Sequence, residues 1–319
     1  MKRLATTITV IIVFFPLVSC ATVTGGENRA FPDQAQIYFE RGALFLSRGD
    51  FYTAILDFTE AIRLNPRHVQ AHSHRGFSYS QTGEFDRAIA DLTQAIRLDS
   101  SNAQLHALRG NVYTNRGEFD NAIADFTQAV RLDPSNVQLH QNRGLVHHLR
   151  RDFDSAIADF TQAIRLDPNN ASAYENRGRA HSARGEFDRA IADFTQAIRL
   201  DPNNASAYVS RGLAHSDRGE LDRAVVDFTQ AIRLNPNHMG AYIGRGLVHS
   251  ARGELDLALA DFTQAIRLNP NDSALFVSRG QAHSARGEPD LALADFTQAV
   301  RLNPNNMLAR VLMEIYMRE

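Results

Sequence analysis

His181 is followed by Ser182, and the same pair returns at 215, 249 and 283, with a further histidine at His147. In a chain with many aspartates, these are the parts of a hydrolytic triad or of a metal centre. The spacing argues against both. A histidine and the serine next to it point to different sides of a helix, so they cannot act as base and nucleophile. The five histidines are 34 residues apart. If each lies on its own helix, neighbours are roughly 8–10 Å apart, too far to share a metal held by bonds of about 2 Å. No HExxH, no paired cysteines and no glycine-rich phosphate loop accompany them. These residues therefore read as structural, with no cofactor or metal expected, and the chain is not read as an enzyme.

The interval of 34 organises everything else. Arg-Gly recurs at that step eight times without insertion, from 41–42 to 279–280. Each unit is counted from seven residues before its Gly, so that the Gly is position 8. In the fifth unit Phe187, Ala190, Ile191, Phe194, Ala197 and Ile198 follow helical spacing and form one apolar stripe. Glu186 in the first turn and Arg199 at the end suit the helix dipole, and Pro202 stops the helix. A first helix runs from the Asn-Asn turn to near Gly185. Gly178 and Ala190 are small where the two helices must approach closely. Asn170 and Asn204 each begin an Asn-Ala-Ser glycosylation sequon, better read as a turn followed by a helix start. One helix pair cannot bury its stripe alone, so each copy supplies its neighbour's core. Arg177, Asp193 and their equivalents occur in every unit, which suggests a structural ion-pair ladder, with a partner-binding stripe as the alternative.

The period, the small residues at positions 8, 20 and 27, Phe194 and Pro202 resemble the tetratricopeptide repeat (TPR) over residues 35–306. The resemblance implies an all-α, right-handed TPR superhelix of eight helix-turn-helix repeats plus a C-terminal capping helix. The repeats are 35–68, 69–102, 103–136, 137–170, 171–204, 205–238, 239–272 and 273–306. Departures are Arg before each Gly, Tyr, His or Phe at position 4, and Leu92 and Ser100 for Phe and Pro in the second unit. In the family position 11 is usually an aromatic packing residue, so His147, His181, His215, His249 and His283 are expected where Tyr79 and Tyr113 sit. In residues 307–319, Met307, Leu308, Val311, Leu312 and Ile315 are expected to lie on the eighth unit and close it. A docking or self-association helix is the alternative.

In this family one face of the first helices lines a concave groove that binds peptides. Here that face changes along the chain. Asn111, Asn115, Gln141, Leu145, His148, Glu175 and Arg179 make a mostly polar start. Val209, Leu213, Ile243, Leu247 and Val277 make an apolar strip that ends at Gln281, and Ser182, Ser216, Ser250 and Ser284 line one edge. The strip fits either a partner site or ordinary packing between successive first helices. The only lysine is Lys2, so the family's lysine-containing clamp for a C-terminal carboxylate is disfavoured.

The N-terminus, MKRLATTITVIIVFFPLVSC, has the layout of a secretory leader. Leu17-Val18-Ser19-Cys20 resembles the bacterial lipobox, which implies removal of 1–19 and acylation of Cys20, the only cysteine. Residues 20–34 would be the lipidated tether. Ala21 is not the aspartate that marks inner-membrane retention, so the outer membrane, facing the periplasm, is expected. Net charge is −2; removing Lys2 and Arg3 from the 34 cations leaves 32 against 36 acids, or −4. That balance carries no nucleic-acid footprint. The expected function is a non-catalytic adaptor, lipid-anchored in the bacterial envelope, that holds a peptide or partner protein in the groove. Envelope lipoproteins of similar organisation serve cell-wall, pilus or secretion assemblies. The alternatives are a self-associating, homo-oligomeric structural protein and a carrier of a small apolar ligand.

Overall fold

Alternating start and stop signals divide the chain into helices of 10 to 14 residues. A computed structural model describes residues 33–317, all helix and turn; the leader, Cys20 and most of the tether lie outside the described residues. The first helices of the eight units are α1 (Gln34–Ser47), α3 (Val69–Gln81), α5 (Ala103–Arg116), α7 (Val137–Leu149), α9 (Ala171–Ala183), α11 (Ala205–Asp217), α13 (Met239–Ala251) and α15 (Ser273–Ala285). The second helices are α2 (Phe51–Leu64), α4 (Phe85–Leu98), α6 (Phe119–Leu132), α8 (Phe153–Leu166), α10 (Phe187–Leu200), α12 (Leu221–Leu234), α14 (Leu255–Leu268) and α16 (Pro289–Leu302); α17 (Met307–Tyr316) follows. Each second helix packs on its own first helix and on the first helix of the next unit, so the chain is an α-solenoid.

Local chemistry sets the boundaries. Asn170 caps α9, its side-chain oxygen accepting the Ala173 N–H at 3.0 Å, and Asn204 caps α11 through Ala207. Both sequon asparagines are thus helix caps. Between the helices of a pair a glycine turns the chain with φ between 74° and 84° in seven units; the fourth unit has Arg151 there, at φ 68°. The core repeats the stripe: Ala190, Phe194 and Ala197 are fully buried. A Cβ on Gly178 would come within 2.8 Å of Phe194 Cε1, which is why position 8 carries no side chain.

The last helix docks by a different face from the one its apolar pattern suggests. Ala309 is buried, Leu312 packs against the core cluster that holds Val277 and Ala299 of the eighth unit, and Tyr316 meets Phe296. Met307, Leu308, Val311 and Ile315 are exposed. The reason is register: α17 sits as the first helix of a ninth unit would, and only the side turned toward α15 and α16 has anything to cover.

Candidate partner-binding surface

The polar residues of the seams come first, because they decide what remains for a partner. Arg177 donates from Nε and Nη2 to both oxygens of Asp193, at 2.9 and 2.7 Å, across α9 and α10. Its Nη1 donates to Thr161 of the preceding unit at 3.1 Å, and its guanidinium lies 5.6 Å from the Tyr174 ring centroid. Asp193 is nearly inaccessible, and the bond to it, against the cost of burial, raises the Arg177 pKa above the usual arginine value. The ladder expected between neighbouring helices is therefore present, with an added link between units that Arg177 alone did not reveal. Thr161 could have been found from the sequence, since a threonine stands 16 residues before each later arginine.

The histidines at position 11 are also taken. His181 Nδ1 donates to Glu186 at 2.6 Å, His215 to Glu220 at 2.6 Å, His249 to Glu254 at 2.5 Å and His283 to Glu288 at 2.7 Å. His147 pairs with Asp152 at 3.1 Å. These are not merely aromatic fillers in the place of tyrosine. They tie the end of each first helix to the residue that caps the second. Glu186 accordingly sits at the N-cap, not in the first turn, and its side chain bonds His181 and no helix N–H. Ser284, on the serine edge, is bonded by Tyr316 of α17. No group of three or more metal-ligating side chains gathers among the described residues.

The variable face splits by position. At position 5 the side chains turn into the joint between successive first helices. Gln141 is buried and donates to Ser172 of the next unit at 2.8 Å. Glu175 is buried and accepts from Asn204 at 3.0 Å and from Arg179 at 2.5 Å. Val209 and Val277 are buried in the cores of their joints, and Ile243 is half-buried. These five are packing residues: for Val209, Ile243 and Val277 the sequence left that alternative open, whereas Gln141 and Glu175, expected in the groove, are taken up by hydrogen bonds at the joint with the next unit. Position 9 faces outward: Arg179 and Gln281 are exposed, and Leu213 and Leu247 between them are 47% and 51% exposed. Asn111, Leu145 and His148 are half-buried at the start of the line, and Asn115 is exposed. Burial first, then the charge of Arg179, holds the His148 imidazole below its ordinary value. The expected broad apolar strip is thus reduced to two leucines in adjacent units, flanked by a cation and an amide.

The comparisons agree with this architecture. Family models described as tetratricopeptide repeat match residues 150–205, 176–228 and 209–273 and, in a second model, 35–68 and 274–306. One described as TPR repeat matches 78–115 and 110–149. A tetratricopeptide repeat protein from Parabacteroides merdae is 19% identical, with 89% of this chain and 99% of that one covered and a TM-score of 0.57. Yeast Tom70 is 19% identical over 92% of this chain and 66% of its own, with a TM-score of 0.60. The Cut9-Hcn1 hetero-tetramer of APC/C gives 16% identity, 91% and 57% coverage and a TM-score of 0.59. Identities this low establish a common fold. No curated protein matches the chain.

Proposed function

Because the chain belongs to the tetratricopeptide repeat family, we propose that it is a non-catalytic adaptor that binds a partner segment on the exposed line of its first helices. The observation that carries this is the pair Leu213 and Leu247, each about half exposed at a position where the seams need nothing. Successive first helices place them roughly 10 Å apart. That is about one turn of a polyproline II chain, three residues at 3.1 Å each, which brings side chains i and i+3 to one face, so a segment with apolar side chains at that spacing would bury both. Covering the exposed half of each leucine is worth about 1 kcal/mol, roughly half the value for burying a whole leucine side chain. Arg179 at one end and Gln281 at the other offer polar contacts that fix direction.

The lipobox-like sequence supports placing this adaptor at a bacterial membrane, with acylated Cys20 as the anchor. A tether of 14 residues, 21–34, reaches at most roughly 50 Å, so the solenoid stays near the surface and meets partners there. Ala21 favours the outer membrane. The process served would be assembly of an envelope complex, such as cell-wall, pilus or secretion machinery. The carrier reading gains little from a hollow of about 560 Å³, which is lined by Glu220, Asp222, Arg223 and Arg252 with Leu221 as its one large apolar side chain and includes neither Leu213 nor Leu247.

Photo-crosslinking in cells tests the adaptor. A crosslinking residue at Leu247 is compared with one at Arg267, exposed on the second helix of the same unit. The expected result is a discrete partner captured from Leu247, not from Arg267, and lost when Leu213→Asp is added. Capture that ignores Leu213, or no capture, removes this reading.

A further inference from the structure

One carboxylate beside the exposed leucines has nothing to pair with. Asp217 is the last residue of α11 and stands at position 13, where the other seven units carry no charge. It lies one turn beyond Leu213, so the two side chains share a face with about 6 Å between their Cβ atoms. On the neighbouring first helices the same position is Ala183 and Ala251. Asp217 is exposed, and its carboxylate has no hydrogen bond and no ion pair among the described residues.

The cations around it are engaged elsewhere. Arg184 pairs with Asp154 and Glu186, Arg218 with Asp188 and Glu220, and Arg252 with Asp222 and Glu254. Arg179, one unit back on the same line, donates to Glu175. Partial burial, with no cation to oppose it, holds the Asp217 carboxyl above its ordinary value. The end of a helix is also its negative pole, which disfavours an acid there. Asp217 thus weakens the fold slightly, next to two leucines that the seams also leave free.

We propose that Asp217 selects a basic partner segment, one whose lysine or arginine pairs with this carboxylate while its apolar side chains cover Leu213 and Leu247. This deepens the adaptor reading and rests on it. Charge complementarity decides the occupant: a cation satisfies the one unpaired acid of the site, and an acidic segment is repelled there. The arrangement also sets direction. Leu213 and Asp217 are on α11 and Leu247 is on α13, so a segment bound in reverse would bring its cation to Leu247 and Ala251 instead.

A library of random short peptides displayed on phage, selected on the full chain in mild detergent, tests this. Clones are kept if wild type binds them and Leu213→Ser does not. The kept clones are expected to be rich in lysine and arginine and poor in acids, and the same selection on Asp217→Lys is expected to favour acids. For a single basic clone, Asp217→Asn should weaken binding about fivefold at low salt, a loss that shrinks as salt is added. Its melting temperature should not fall, because the carboxylate supports nothing in the fold. Kept clones without a basic bias, or clones that bind Asp217→Lys as well as wild type, overturn the proposal and leave the adaptor reading standing. A lower melting temperature for Asp217→Asn also overturns it, since the carboxylate is then structural. A selection that yields no clone dependent on Leu213 removes both readings.

Discussion

Arg151 shows how far one residue can depart from a repeated plan. It occupies the turn position that seven other units give to glycine, and it does so at φ 68°. A side chain in this left-handed region costs about 1–2 kcal/mol, while glycine would loosen the unfolded chain by about 0.4–1 kcal/mol. The Arg151 guanidinium, 5.9 Å from the Phe153 ring, returns a little. Arg151→Gly is thus expected to stabilise the fourth unit by roughly 0.5–1 kcal/mol, the difference between those terms, read as a higher urea midpoint. A lower midpoint would show that the ring contact outweighs the backbone strain. The ion pairs follow a different logic. Arg177 and Asp193 are held in a fixed, bidentate fork, and removing one partner would strand a nearly buried charge.

At the scale of the helix pair, the joint between the two helices is an electrostatic device in the later units. The bond from His181 is the main cause holding Glu186 below its usual value near 4.5, His215 does the same for Glu220, and Arg286 followed by His283 lowers Glu288. A carboxylate whose folded pKa is depressed stabilises the fold above its unfolded pKa, and that contribution disappears as pH falls through the folded one. Acidification from pH 5 downward should therefore lower the melting temperature of the wild type more steeply than that of a Glu186→Gln/Glu220→Gln/Glu288→Gln variant. Melts followed by circular dichroism between pH 3 and 6 check this, and parallel slopes would mean these carboxylates matter little. The first three units, with Phe45, Tyr79 and Tyr113 at position 11, lack this device.

The whole molecule is a row of near-identical joints with unlike ends. Among the described residues no helix is long and apolar enough to cross a membrane. The lipobox-like segment makes Cys20 the candidate anchor. Several acyl chains on one residue hold a protein stably where a single chain does not. Cys20→Ser is expected to move the chain from the membrane pellet to the soluble fraction, whereas a high-salt wash leaves the wild type in place. A variant that stays with the membrane would point to the apolar run from Leu4 to Val18 as an uncleaved anchor.

The sequence by itself determined the unit, its two helices, the glycines at close approach and the arginine–aspartate ladder. Each of these depends on contacts within a unit or with its neighbour, and repetition writes such contacts as a period. Only the tertiary structure decided which side of each first helix is free. Gln141, Glu175, Val209 and Val277 lie on the same variable face as Leu213 and Leu247, yet the turn from one unit to the next buries the first four and exposes the leucines. That rotation is a property of stacked units, and no residue spacing encodes it. Thr161 as a partner of Arg177 and Glu186 as the partner of His181 are different: both recur at fixed spacings, 16 and 5 residues, that the sequence already carries. Stacking also turns Ala309, Leu312 and Tyr316 of α17 inward while leaving its most apolar side chains in water, because a helix at the end of a stack is covered only on the side facing the unit before it.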